Sequence, residues 1–183
     1  MTTSQMERET HPGNLQQQLL LFLGSHEGKE VSLGGVGIVF KLYGKDTRGA
    51  FSVVEHPMKP KTLVPPHMHT DTDEFSIVVE GKIGARIGDR EIEGGPGCYI
   101  VKPRNIPHTF WNPENTQSRL VEIISPPGFE GFFEESSKLP LGQNGLPEFS
   151  SVAKIGEKYH LVFGWDSWIP ELSRKYGVKL FGL

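Results

Sequence analysis

One cysteine, Cys98, stands alone in 183 residues. An intramolecular disulfide and a multi-cysteine zinc site are both excluded. Long apolar runs are lacking near the N-terminus, where Leu19–Leu23 is the longest. A secretory h-region needs about 7–15 apolar residues and a spanning helix about 20. The first ten residues carry no basic n-region, and no N-x-[ST] sequon occurs. The expected compartment is therefore the cytoplasm. Charge of one sign is also scarce: 19 Lys and Arg against 22 Asp and Glu give a net charge of −3. That balance offers no electrostatic reason for a nucleic-acid or anionic-membrane partner. The Gly34–Gly37 stretch lacks the GxxxxGK[ST] pattern of a phosphate loop and reads as a turn before a strand. No helical period of useful length appears between residues 30 and 125.

What is abundant is turn chemistry. The 22 glycines and 14 prolines are spread along the chain, which points to many short strands. Strands are expected at Ile38–Tyr43, Ala50–Glu55, Phe75–Val79 and Lys82–Ile87, the last with Ile83, Ala85 and Ile87 on one face. Glu91–Glu93, Cys98–Val101, His108–Trp111 and Arg119–Ile124 follow. Turn signals at this spacing predict an all-β sandwich or barrel. The organisation expected is a flexible arm over 1–13, a barrel over 14–127 and a helical or loop extension over 128–183 packing on the barrel. Within that extension Gly128–Ser137 and Ser167–Tyr176 read as short helices, the second stopped by Gly177. Pro140–Ser150 reads as loop, and the aromatics of the extension read as core.

Three of the seven histidines fall in a pattern with one carboxylate: His67, His69, Glu74 and His108. Residues i and i+2 of a strand share a face about 6–7 Å apart, so His67 and His69 can converge on one ion. Glu74 follows a Thr-Asp-Thr-Asp turn, and His108 comes from another strand. Three neutral nitrogens and one carboxylate oxygen suit one divalent transition metal per chain, namely Mn, Fe, Co, Ni, Cu or Zn, and leave positions open for water or substrate. His11, His26 and His160 lack such company, and His56 lies near a strand end. Cys98 reads as a small buried residue.

The frame around these residues is more specific than the spacing alone. His67-x-His69-x4-Glu74-x6-Gly81 and Gly97-x5-Pro103-x4-His108-x3-Asn112 resemble the two motifs of the cupin superfamily. The short segment between them is similar to that of single-domain members, and the resemblance covers about residues 35–125. It implies a double-stranded β-helix, or jelly-roll barrel, with short C-terminal helices added, and the metal ligands His67, His69, Glu74 and His108. Two positions depart from the family pattern. Lys61 stands where a glycine precedes the first histidine, and Asn105 stands where a glycine follows the second motif's proline. Asn tolerates a left-handed backbone better than most residues, so that turn can survive.

Among single-domain cupins the two motifs look most like those of bacterial proteins related to the quercetin dioxygenases. The resemblance implies a metal-dependent dioxygenase for a small enolisable or aromatic, flavonol-like substrate, with Glu74 also acting as base. Strand parity puts Ser76 and Val78 on the Glu74 face and Phe110 on the His108 face, a largely apolar pocket. A non-redox isomerase or lyase would use the same ligands. A phosphosugar isomerase should show a cationic cluster, but parity does not bring Arg86, Lys102 and Arg104 inside. A non-catalytic small-molecule binder is the third reading. The expected partners are a small-molecule substrate and, by family habit, a second copy in a homodimer.

Overall fold

A computed structural model describes residues 22–183. The arm over 1–13 and most of the Leu19–Leu23 run lie outside the described residues. The described residues fold as thirteen strands in two sheets with three short α-helices and one 3-10 turn at Gly44–Thr47. The first sheet is built from β1 (Lys29–Leu33), β2 (Val36–Leu42), β3 (Ser52–Met58), β6 (Asp73–Glu80), β9 (Tyr99–Lys102) and β11 (Ser118–Ser125), in the order β1-β2-β3-β11-β6-β9. The second holds β4 (Thr62–Leu63), β5 (His67–His69), β7 (Ile83–Ile87), β8 (Arg90–Gly94) and β10 (His108–Trp111), joined by β12 (Leu161–Phe163) and β13 (Lys179–Leu180). The path is β12-β5-β10-β4-β13, with β7 also on β10 and β8 on β7. This is the jelly-roll barrel, with helices α1 (Glu130–Ser136), α2 (Phe149–Lys158) and α3 (Trp168–Tyr176) added after it.

Period-two burial sets the interior. Along β11 the inward residues are Ser118, Leu120, Glu122 and Ile124, and along β3 they are Ser52, Val54, His56 and Met58. Apolar residues gather in two clusters inside the barrel. One centres on Met58, Val78, Ile83, Ile100, Phe110 and Leu120. The other centres on Ile38, Phe40, Val54, Ile124, Phe129 and Phe132. The inward positions between them are polar: His56, Glu74, Ser76, Lys102 and Glu122 are all buried. A buried polar layer sandwiched by apolar ones must satisfy itself or bind something.

The extension does more than pack on the barrel. Helix α3 covers Trp111 and Leu63 with Trp168 and Leu172, and Gly177 ends it in a left-handed conformation at φ 67°. However, β12 pairs with β5, and β13 pairs in parallel with β4, so the extension also completes the second sheet. Helix α2 occupies residues in and beyond the stretch expected as loop. Its apolar side chains Val152 and Ile155 sit three apart and pack on the core, a period too brief to stand out in the sequence. Cys98 is exposed, not buried. It closes the tight turn before β9, its N–H donating to the Gly95 carbonyl at 3.1 Å, ahead of the strand's period-two burial.

Both departures from the family glycine pattern occupy left-handed backbone, Lys61 at φ 55° and Asn105 at φ 62°. The Asn105 N–H donates to the His69 carbonyl at 2.7 Å, so this turn holds one ligand strand in place. Replacing Asn105 by Ala should cost about 1 kcal/mol, because a Cβ without a compensating polar group disfavours this conformation. Replacing it by Gly should stay within about 0.5 kcal/mol of wild type. Urea denaturation of both variants checks this, and equal losses would contradict it.

Candidate metal centre

The strands bring the four motif residues to one point. In the β5–β10 ladder His67 lies directly opposite His108. In the β6–β9 ladder Glu74 lies opposite Lys102. His67, His69, Glu74 and His108 each offer a donor atom, and these atoms lie within 4.8 Å of one another. The ring centroids stand 4.4 Å apart for His67 and His108, 5.1 Å for His67 and His69, and 5.5 Å for His69 and His108. Glu74 Oε1 is 3.3 Å from His69 Nε2, and its Oε2 is 3.3 Å from His108 Nε2.

Backbone carbonyls aim two of the rings. His67 Nδ1 donates to the Pro65 carbonyl at 2.7 Å and His108 Nδ1 to the Ile106 carbonyl at 3.1 Å. A carbonyl only accepts, so the proton sits on Nδ1 and each Nε2 lone pair is free for a cation. Burial, followed by the neighbouring imidazoles, holds His67 well below the usual histidine range. Burial also lowers His108, against the pull of Glu74. Burial alone would raise the Glu74 carboxyl. The Lys102 charge, with His69 and His108, outweighs it and holds the group well below the usual carboxylate range. His67 and His108 therefore present neutral nitrogens and Glu74 an anionic oxygen.

Both ring nitrogens of His69 and Nε2 of His108 are buried without a hydrogen-bond partner. Each such orphan costs about 1–3 kcal/mol. A divalent transition ion held by one nitrogen of each ring removes that cost at His108 and at one nitrogen of His69, and three imidazole nitrogens with one carboxylate suit it. The residues present fit a single metal.

Behind the ligands lies a group that sequence reasoning left outside. Lys102 is fully buried, with Nζ 2.8 Å from Glu74 Oε2 and 2.5 Å from Glu122 Oε2. Lysine is almost never buried unless paired, and its two partners come from β6 and β11, distant in sequence. On β9 Ile100 and Lys102 both face inward, so the parity assignment that kept Lys102 out is corrected. Arg86 and Arg104 do stay outside, paired with Glu171 and Asp73. Ser76 and Val78 point inward as parity placed them, but neither lines the cavity. Ser76 Oγ lies 3.0 Å from both Glu122 oxygens, and Val78 sits deeper in the apolar cluster below.

A cavity of about 70 Å³ opens on the metal centre. Phe110, Phe129, Phe132, Phe133 and Phe163 wall it, and its polar side chains are His56, His67, Glu74 and Glu122. Phe110 thus stands where parity placed it. The other four rings belong to the extension, whose aromatics were expected only as core; Phe129 meets His69 edge-on with centroids 4.3 Å apart. The clustering of Phe129, Phe132 and Phe133 was the one signal available in the sequence. His56 Nδ1 donates to the Gly37 carbonyl at 2.9 Å, and burial pushes its ring down to about 4. His26 and His160 are exposed and away from the site, and His11 lies outside the described residues.

Residues 55–124 match the family model of the cupin domain. No protein of curated function matches the sequence. Among solved structures, KdgF from a Halomonas species is 18% identical with a TM-score of 0.55, over 61% of this chain and 97% of that one. A protein from Thermotoga maritima described as a predicted oxalate decarboxylase is 15% identical, TM-score 0.52, over 57% and 97%. The polyketide cyclase RemF from Streptomyces resistomycificus is 25% identical, TM-score 0.50, over 57% and 78%. Family match and fold together support the cupin superfamily for this chain, as its two motifs imply.

Two outcomes follow for this centre. Purified protein should take up about one transition-metal ion per chain, and ion at a hundred times its Kd should stabilise it by about 2.7 kcal/mol. His67→Ala with His108→Ala should abolish both effects in elemental analysis and thermal denaturation. The second concerns Glu122. Burial raises its carboxyl, Lys102 opposes and Glu74 reinforces, leaving it at about 7 against an ordinary 4.5. Between those values the folded chain binds more protons than the unfolded one, so this group's stabilisation is lost as pH rises through 7. His56, lowered from 6.5 to about 4, acts in the opposite sense, its contribution growing with pH between those values. Comparison with Glu122→Gln isolates the carboxyl. In ion-free protein the variant should match wild type near pH 4.5 and gain on it towards pH 7, by at most about 1.4 kcal/mol per pH unit. A pH-independent difference in urea midpoints would refute this.

Proposed function

We propose that this chain is a metal-dependent dioxygenase acting on a small, mainly apolar substrate with one enolisable or phenolic hydroxyl. The observation that carries the reading is the meeting of the three-histidine, one-glutamate centre with a cavity walled by phenylalanine. A divalent ion at the centre, when bound, supplies Lewis acidity and, if redox-active, electron transfer to dioxygen. The chain's own residues supply the rest. Glu74 is the group placed to take the hydroxyl proton, because its carboxylate is anionic and borders the cavity. The phenylalanine rings give a substrate ring flat and edge contacts and keep water from the reacting atoms. In a dioxygenation both oxygen atoms enter the substrate, so no external reductant is needed.

The polar groups of the cavity argue against a phosphorylated substrate. Among the described residues its one neighbouring cation, Lys102, is held by two carboxylates, and no arginine lines it. Two observations favour a second, non-redox reading as a cyclase, isomerase or lyase. The Lys102 contact weakens Glu74 as a base, and the 25%-identical relative is described as a polyketide cyclase.

A metal series separates the two. Protein loaded with Mn, Fe, Co, Ni, Cu or Zn is offered flavonols and simpler enolisable phenols, and oxygen uptake and product are followed. The dioxygenase reading expects one dioxygen consumed per substrate with a redox-active ion, none with Zn, and at least about a hundredfold loss in Glu74→Gln. Equal turnover with Zn and no oxygen uptake would replace it with the non-redox reading. Binding without turnover under every ion would leave a small-molecule binder.

A further inference from the structure

A second cavity, of about 310 Å³, adjoins the first. Leu33, Val152, Phe163 and Phe181 line both cavities and so form the partition between them. The partition consists of side chains from β1, α2, β12 and the turn after β13, and side chains change rotamer without breaking a sheet. The outer chamber continues the apolar character of the inner one. Leu146, Pro147, Phe149 and Leu180 complete its wall, with Asn144 and Glu148 as its polar side chains.

The outer chamber belongs to the extension. The cupin match ends at residue 124, whereas most of this wall comes from residues 144–181. One wall residue is held against its own preference. Phe181 has φ 54°, a region costly for a bulky side chain. Its N–H donates to the Leu63 carbonyl at 2.9 Å and its carbonyl accepts from Gly35 at 2.7 Å, so both flanking elements fix it in the partition. The inner cavity, at about 70 Å³, holds a few waters' worth of space. It accommodates a head group and not a whole ligand.

We propose that the two chambers form one substrate site, and that its ligand is an elongated molecule with its oxygen-bearing head at the metal centre and an apolar body passing Leu33, Val152, Phe163 and Phe181 into the outer chamber. This rests on the reading of the inner cavity as a substrate site, and it adds the shape and hydrophobicity of the substrate. Leu33, Val152, Phe163 and Phe181 then determine how wide a body passes.

Calorimetric titration of the Zn-loaded full chain with 4-n-alkylphenols, from methyl to octyl, tests the proposal without requiring turnover. Affinity should rise about three- to fourfold per methylene, leaving the octyl member at least about a thousandfold tighter than the methyl one. Leu146→Glu and, independently, the half-exposed Phe149→Glu put a charge in the outer chamber, and each should cut the octyl-to-methyl ratio at least tenfold. Circular dichroism establishes that each variant is folded. A wild-type affinity that stops rising after the first few methylenes overturns the proposal. So does the absence of binding by every member, or a ratio unchanged in both variants. The two readings fail separately. Chain-length-dependent binding without oxygen uptake under any ion removes the dioxygenase and keeps the elongated site. Oxygen uptake on a compact phenol with no chain-length effect does the reverse.

Discussion

A single ammonium group, Lys102, lies between two carboxylates in the dry interior of the barrel. An unpaired charge there would cost several kcal/mol. The architecture around it follows from that requirement. Strand β9 must run beside β6 so that Lys102 reaches Glu74, and β11 must lie on the other side of β6 so that Glu122 completes the set. Glu74 is thereby held anionic and turned towards the imidazoles. The apolar clusters above and below keep water from weakening those contacts. The polar layer is thus a consequence of the barrel's hydrophobicity as much as an exception to it.

The centre and the cavity come from different parts of the chain and solve different problems. The barrel strands supply donors at fixed spacing, since a β-ladder locks register and therefore distance. The extension supplies aromatic walls on helices and short strands, where side chains can vary without disturbing the donors. That division separates the donor geometry, fixed by the barrel, from the cavity wall, which can vary with the extension.

Much of the fold was legible in the sequence. His67 and His69 could be paired from their spacing, because a period-two strand converts sequence offset directly into geometry, whereas Glu74 and His108 joined them through the resemblance of the two motifs to the cupin superfamily. Asn105 was readable as a left-handed turn because the family pattern has a glycine at that position, and its φ is 62°. Lys102 was not, because its burial depends on carboxylates 28 residues before and 20 after it in the chain. The strands β12 and β13 were also missed. At three and two residues they carry too little pattern, and their neighbours β5 and β4 lie more than ninety residues earlier. The phenylalanines of the extension were seen as core, and they are; that they also wall a cavity depends on the barrel's open end, which no local pattern encodes.

The parallel pairing of β13 with β4 sets an order of events in time. Leu180 joins Leu63 across roughly 120 residues of chain, a span that takes on the order of 6–24 s to synthesise at cellular rates. β5, which carries two of the imidazoles, likewise waits for β12. Until those strands arrive, the second sheet has open edges beside the donor residues, and the nascent chain depends on keeping them from other partners. Completion of the second sheet beside the donor residues is accordingly a late step of maturation.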